Sequence, residues 1–205
     1  MAEQLARKIE QIVRKVSGIA HGPVVLHEPF FNGNERQYVT DCIDTNWVST
    51  VGKYVNLFEQ LISRTTGAKH AIATINGTAA LHICLLLAGV QPGDEVLMQA
   101  LTFVASANAI AYCNATPHFV DVNRTSMGIC PEKLREHLKS ACEIKDGVLH
   151  NRATGRPIRV LMVMHTFGHP SQLDELKQVC EEFRLKLVED AAEAIGSEYN
   201  GRHVG

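Results

Sequence analysis

Four stretches of the chain carry residue types that could do chemistry, and each follows a strand-like run or opens a helix. In Leu185-Lys186-Leu187-Val188-Glu189-Asp190-Ala191-Ala192-Glu193-Ala194 an apolar run delivers two carboxylates and, after two alanines, a third. A carboxylate at a strand end can hold a cation or a proton; it can equally cap a helix or sit on the surface. Asn76-Gly77-Thr78 stands between a short apolar run and an apolar helical pattern. That puts backbone N–H groups and a hydroxyl at the positive end of a helix, where an anion would be held. The turn fits neither G-x-x-x-x-G-K-[ST] nor G-x-G-x-x-G, so Walker-type and dinucleotide fingerprints are absent, and a plain tight turn is the competing reading. Thr102-Phe103 adds an aromatic face, and His165-Thr166-Phe167-Gly168-His169-Pro170 adds two imidazoles. His165 and His169 have the i, i+4 spacing of a helical metal pair, but Gly168 and Pro170 break any helix there, which argues against a metal site.

Alternating strand and helix patterns must position these stretches. Ala71 to Ile75, Glu95 to Gln99, Pro117 to Val122, Ile158 to Met164 and the run ending at Asp190 predict strands. Ile158 to Met164 is apolar almost throughout, as a strand buried on both faces would be. Helices are predicted for Glu35 to Thr45, Tyr54 to Thr66, Thr78 to Ala88, Thr102 to Cys113, Glu132 to Ala141 behind Pro131, and Gln172 to Phe183. Thr78 to Ala88 is apolar nearly all round and predicts a helix buried on several sides. Ser171 and Asp174 have the spacing of a capping box. Glu143 to Pro157 reads as a surface excursion with a small hairpin at Asp146-Gly147, and Ser197 to His203 as a hairpin around Asn200-Gly201. Pro23 to Phe31 reads as extended and loop-like. The order of elements predicts an α/β fold, a mainly parallel sheet with helices on both faces. In such sheets ligands sit beyond the carboxyl ends of the strands, which is where the polar stretches fall.

A hydrophobic content of 45% and a net charge of -2 over 205 residues suit one globular domain, with no broad pull toward nucleic acid or anionic membrane. No run approaches the ~20 apolar residues of a membrane span. The opening MAEQLARKIEQIVRKVSG lacks the apolar core of an export signal. Its Leu5, Ile9, Ile12, Val13 and Val16 fall on one helical face, so residues 1–20 are expected to form an amphipathic helix or arm packing on the body or on a partner subunit. Its mixed charges argue against membrane adhesion. Six cysteines without C-x-x-C spacing read as reduced core hydrophobes of a cytoplasmic protein. Trp47, in a polar loop, would line a ligand cleft or pack the loop onto the body.

A phosphate cradle at Gly77-Thr78, a ring to stack on at Phe103 and a carboxylate able to face a ring nitrogen at Asp190 together describe a site for pyridoxal phosphate. INGTAALHICLLLAGVQPGDEVLMQALTFVASANAI, then HTFGHP, then VEDAAEAIGSEYNGRHVG, resemble the DegT/DnrJ/EryC1 family of nucleotide-sugar aminotransferases, over about Phe30 to Gly205. The resemblance implies the type I pyridoxal phosphate fold, with residues 21–205 as the N-terminal part of its cofactor-binding large domain. It implies that Gly77 and Thr78 hold the cofactor phosphate, that Phe103 stacks on the pyridine ring, and that Asp190 pairs with the protonated ring nitrogen. Glu193 would contact the ring hydroxyl, where the family often carries Gln or His. His165 would lie near the cofactor as a hydrogen-bond partner or a shaper of the pocket, with a satisfied structural histidine as the alternative. Ser49 and Thr50 align with a loop that lines the sugar pocket. The implied partners are a nucleotide-linked 4-keto-6-deoxy sugar, an amino-acid donor (glutamate) and a second subunit of a homodimer. The excursion before Ile158 resembles the branch acting on UDP-linked sugars toward bacillosamine or legionaminic acid.

The family's Schiff-base lysine lies well beyond its Asp-Ala-Ala motif, and the sequence ends at Gly205. Imine catalysis needs a lysine amine aimed at the aldehyde carbon, and Lys186, lying along the strand before Asp190, does not offer one. The expectation is the N-terminal half of a longer enzyme, inactive alone and without a catalytic residue of its own. The strands after that lysine would lie between the Asp190 run and Ala71 to Ile75, so both edges are expected to be unpaired here. Other readings are a pyridoxal phosphate sugar dehydratase of the same fold with histidine in place of lysine, a non-catalytic binding or assembly protein, and a flavodoxin-like module.

Overall fold

The computed structural model describes residues 2–25 and 29–205; the middle of the loop expected at Pro23 to Phe31 lies outside the described residues. The chain divides into two compact units, Met1–Gly52 and Lys53–Gly205, a boundary some way past the residue-20 boundary read from the sequence. In the first unit, α1 (Ala2–Ser17) forms as expected, and Leu5, Ile9, Ile12, Val13 and Val16 all stand exposed along it. Ahead of α2 (Glu35–Asp44), the Glu35 carboxylate reaches back to accept the Gly33 N–H at 2.9 Å. Trp47, in the loop that follows, is exposed.

The second unit runs α3 (Lys53–Thr66), α4 (Gly77–Leu87), β1 (Glu95–Gln99), α5 (Val104–Tyr112), β2 (Thr116–Val120), α6 (Pro131–Ala141), β3 (Cys142–Lys145), β4 (Val148–Asn151), β5 (Pro157–Met164), α7 (Leu173–Phe183), β6 (Lys186–Asp190), β7 (Glu198–Tyr199) and β8 (Arg202–His203). Strands β2, β1, β5 and β6 are parallel, and the antiparallel β3–β4 hairpin joins the sheet through β4. One edge of the eight-residue β5 is shared by two neighbours, its start pairing with β4 and Val160 to Met164 with β6, while β1 takes the other edge.

Alternation along the strands sorts their side chains into two layers. Leu97, Leu161 and Val163 pack with Leu134 and Leu138 of α6 and Leu176 and Val179 of α7. Val96, Met98, Val160, Met162 and Val188 pack with Leu81 and Leu85 of α4 and Ala109 and Ile110 of α5. Helices therefore cover both faces, and every residue of β1 is buried. Both hairpins turn on a left-handed pair, Asp146-Gly147 and Asn200-Gly201, the backbone that matches strand twist in a two-residue loop. All six cysteines are free; burial pushes the Cys142 thiol up to about 11 and the Cys180 thiol up to about 12, so both act as small apolar side chains.

Three expectations need correction. Ala71 to Ile75 pairs with no strand among the described residues, and Ile72 and Ile75 are 80% and 90% exposed. An apolar run has β propensity, but a strand needs a neighbour's hydrogen bonds, which none of these segments supplies. Helix α4 buries only Leu81 and Leu85; the sheet covers one face, and Leu86 and Leu87 stay exposed. The capping box at Ser171 does not form. Ser171 donates its N–H to His165 Nδ1 (3.1 Å) and its hydroxyl to the Met164 carbonyl (3.3 Å), so the helix begins after Gln172 without a side-chain cap.

A buried polar chain crosses from the sheet to α6. Glu95 accepts hydrogen bonds from Thr154 (2.6 Å) and Asn151 (2.9 Å) and faces His118 Nδ1 at 2.7 Å. His118 Nε2 meets His137 Nε2 at 2.8 Å. One proton serves the two facing nitrogens. Burial, and then the His118 charge, hold His137 below the ordinary imidazole range. The unfolded chain therefore takes up this proton first as the pH falls. The stability His137 contributes is complete above its ordinary 6.5 and is lost as the pH drops through the lower native value. Denaturant unfolding at about pH 7.5 and about pH 5 should show a smaller loss of stability for His137→Asn than for the wild type. Equal losses would show that the contact does not titrate.

Candidate functional site

Strand β6 ends at Asp190, opposite Met164 of β5. Asp190 lies on the same face of β6 as Val188, beneath α5, and is only 7% exposed. Its Oδ2 accepts the Ser106 hydroxyl at 2.7 Å and its Oδ1 accepts the Ala192 N–H at 3.3 Å. No cation pairs with it among the described residues. Ser106 Oγ is 3.0 Å from Thr102 Oγ1; with the serine proton on Asp190, the threonine proton serves Ser106 Oγ or Met164 Sδ, the latter at 3.1 Å. Met164 Sδ also receives the Phe103 N–H at 3.3 Å. The structure thus brings Phe103 and Asp190 together through Ser106 and Met164, and leaves Phe103 67% exposed.

The ends of β1 and β5 are tied by Gln99. It accepts the Met164 N–H (3.2 Å) and donates to Thr166 Oγ1 (2.9 Å) and the Leu101 carbonyl (3.1 Å). His165 is fully buried. Its Nδ1 accepts the Ser171 N–H, which leaves the proton on Nε2 to reach Glu189 Oε2 at 3.0 Å. Both ring nitrogens are engaged inside the protein, so the geometry is that of the satisfied histidine. Burial pushes the Glu189 carboxyl up, but hydrogen bonds from His165 and the Gly205 N–H outweigh it and hold the group below the ordinary carboxylate range.

Glu193 is exposed, and its Oε2 accepts the Phe167 N–H at 2.9 Å; its other oxygen has no partner among the described residues. Phe167 is left-handed at φ 53°, a conformation that favours glycine or asparagine. Gly168 follows at φ 78°, and a Cβ there would lie 2.8 Å from the Glu193 carbonyl oxygen, so only glycine fits. The loop after β5 is thereby locked against the loop after β6.

Helix α4 opens the other side of the site. Asn76 caps it: its side chain accepts the Ala79 N–H at 2.9 Å and its carbonyl the Ala80 N–H at 3.1 Å. The N–H groups of Gly77 and Thr78 and the Thr78 hydroxyl have no acceptor among the described residues, and a Cβ on Gly77 would meet nothing within 4 Å. A Cβ on Gly89, just past the other end of α4, would lie 3.8 Å from Lys186 Nζ at the start of β6, and Leu85 packs with Val188. Helix and strand therefore run in opposite directions, which puts the start of α4 at the Asp190 end of β6. Ser49 and Thr50 lie in the first unit, exposed in the bend after α2.

Sequence reading missed Ser106, Gln99 and the capping role of Asn76. A signal existed for the first two: Ser106 shares the i, i+3, i+4 stripe of Ala109 and Ile110 in an otherwise apolar helix, and Gln99 closes a strand with no exposed residue.

The mainly parallel sheet with helices on both faces is the fold of the type I pyridoxal phosphate aminotransferases that superpose on it. This chain belongs to the DegT/DnrJ/EryC1/StrS aminotransferase family, whose pattern it matches over residues 30–205. The GDP-perosamine synthase of Vibrio cholerae is 36% identical over 182 residues, taking in 89% of this chain and 45% of that protein. The chain thus spans about half the length of the curated relatives it matches. Among solved structures, DesI in the presence of its TDP-sugar product superposes with a TM-score of 0.73 at 27% identity, over 89% of this chain and 43% of that one. NtdA from Bacillus subtilis, solved with bound cofactor PMP, gives 0.66 at 27% identity, over 85% and 39%. No helix of the described residues is long and apolar enough to cross a membrane.

The Ser106 hydroxyl is the one side-chain donor on Asp190 among the described residues. Ser106→Ala should lower stability by about 1.5–3 kcal/mol, the range for a hydrogen bond to a charged group, measured by urea unfolding at neutral pH. A variant as stable as the wild type would show that Asp190 is not held by this bond.

Proposed function

We propose that this chain supplies the cofactor-binding part of a pyridoxal phosphate-dependent aminotransferase that moves an amino group from glutamate to a nucleotide-linked 4-keto-6-deoxy sugar. The observation that carries the reading is Asp190, a carboxylate 7% exposed that has a hydroxyl and a backbone N–H but no cation to balance it among the described residues. A buried charge without a counter-charge is costly, and a protonated pyridine nitrogen would remove that cost. The residues fit the cofactor at its other end too, where the free N–H groups of Gly77 and Thr78 and the open space over Gly77 suit a phosphate. Phe103, exposed and fixed through its backbone to Met164, offers a face for the ring.

Bound there, pyridoxal phosphate would act as an electron sink, strongest while its ring nitrogen stays protonated. Asp190 keeps that proton in place, Ser106 keeps Asp190 aimed, and Gln99 and Met164 fix the two strand ends. Glu193 has one oxygen left for the ring hydroxyl, and His165, with both nitrogens engaged, contributes shape. Ser49 and Thr50 enter as sugar contacts on the resemblance alone. The reacting lysine, a homodimer and a cytoplasmic setting belong to the same proposal. The sugar class is supported by the relatives whose names carry a nucleotide sugar, the GDP-perosamine synthase and DesI.

Equilibrium dialysis of the purified chain with pyridoxal phosphate tests the reading. The wild type should retain the cofactor, and Asp190→Asn and Thr78→Val should each weaken retention about tenfold or more while unfolding at close to the wild-type denaturant concentration. No retention would overturn the proposal. A borohydride-stable adduct on a lysine of these residues would overturn the placement of the reacting lysine outside them.

A further inference from the structure

We propose that the opposite end of the same sheet, where β5 and β6 begin, carries a second anion site that takes a small phosphate ester or diphosphate. The proposal does not rest on the aminotransferase reading. Lys186 starts β6 and Asp190 ends it, so the two sites lie about 13 Å apart along the strand. A cavity of about 320 Å³ opens there, lined by Arg159, Arg184, Lys186, the glycines Gly89 and Gly147, and Val148. That volume is at the small end for ligand pockets and suits a compact oxyanion with a short apolar body.

Three cations line this space and, among the described residues, no carboxylate does, in a chain whose net charge is -2. Asp94 accepts Arg159 Nε at 3.0 Å and the Gln91 N–H at 2.9 Å on the same oxygen. It thereby holds the guanidinium in place and leaves the terminal nitrogens of Arg159 without a partner among the described residues. The Arg184 and Lys186 side chains have no acceptor among the described residues either. Both residues line the cavity, Arg184 from the left-handed end of α7 and Lys186 from the first position of β6.

A simpler account would have these cations capping the C-termini of α4 and α7, where they are favoured. Those termini are already served by backbone. The Cys84, Leu85 and Leu86 carbonyls accept from Ala88, Val90 and Gly89, and the Cys180 and Glu181 carbonyls from Leu185 and Arg184. Two flexible basic side chains and one fixed guanidinium around a cavity are instead the arrangement that recognises phosphate oxygens.

The test is calorimetric titration of the chain with inorganic pyrophosphate at low salt, comparing Thr78→Val with the same variant carrying Arg184→Asn/Lys186→Gln. Asparagine is chosen at 184 because that residue is left-handed, at φ 59°, and asparagine tolerates the conformation; thermal unfolding verifies that the variants fold. With the α4 start weakened by Thr78→Val, pyrophosphate should still bind, and adding Arg184→Asn/Lys186→Gln to that variant should weaken the remaining binding about tenfold or more, with affinity falling as salt rises. Absence of binding to Thr78→Val at about millimolar pyrophosphate, or binding unchanged when the two cations are also replaced, would each overturn it.

Discussion

The hydrogen bond from Ser106 to the buried carboxylate of Asp190 joins a helix on one face of the sheet to the end of its edge strand, and the geometry of the site follows from it. Helix α5 can present a serine to that carboxylate only if Phe103 and Thr102 enter the helix at a fixed angle, and both lean on Met164 Sδ. Met164 in turn is the register partner of Asp190, and Gln99 holds its N–H. The polar groups at three strand ends thus find partners within the protein, which restricts their rotamers.

The two neighbours of Asp190 on β6 and beyond it show a division of labour set by strand alternation. Glu189 faces away from α5 and is engaged with His165 and the Gly205 N–H, a structural pair. Glu193 pins the loop after β5 through Phe167, whose left-handed backbone is held because Gly168 sits hard against the Glu193 carbonyl. Strain of this kind persists where surrounding contacts over-determine it, and it lies beside the end of the sheet where a ligand would be handled. The start of α4 is open, and the N–H groups of Gly77 and Thr78 have no acceptor among the described residues.

Much of this was legible in the sequence, and the failures have physical reasons. Strand and helix positions that depend on burial against the sheet were readable because burial imposes a period: Glu95 to Gln99, Pro131 to Ala141 and the run ending at Asp190 fall where the pattern put them. Ala71 to Ile75 has the composition of a strand without a neighbour to make it one, and composition says nothing about neighbours. Asp190, Phe103, Gly77 and Thr78 were visible as chemistry at element ends. For Ser106 and Gln99 the sequence marks only a polar residue in a buried pattern, because their importance lies in contacts across 84 and 65 residues of sequence, made only when the sheet has formed. His165 drew attention as a titratable group near the site; only the fold reveals that Ser171 and Glu189 take both its nitrogens.

The central claim is that Asp190 is a carboxylate built to keep a pyridine nitrogen protonated. The most direct test is the ¹⁵N NMR shift of pyridoxal phosphate labelled at the ring nitrogen and bound to the chain at neutral pH. The account predicts the shift of a protonated, hydrogen-bonded pyridinium, moving toward that of a neutral pyridine in Asp190→Asn. A neutral pyridine shift in the wild type, or a pyridinium shift that survives the substitution, would contradict it.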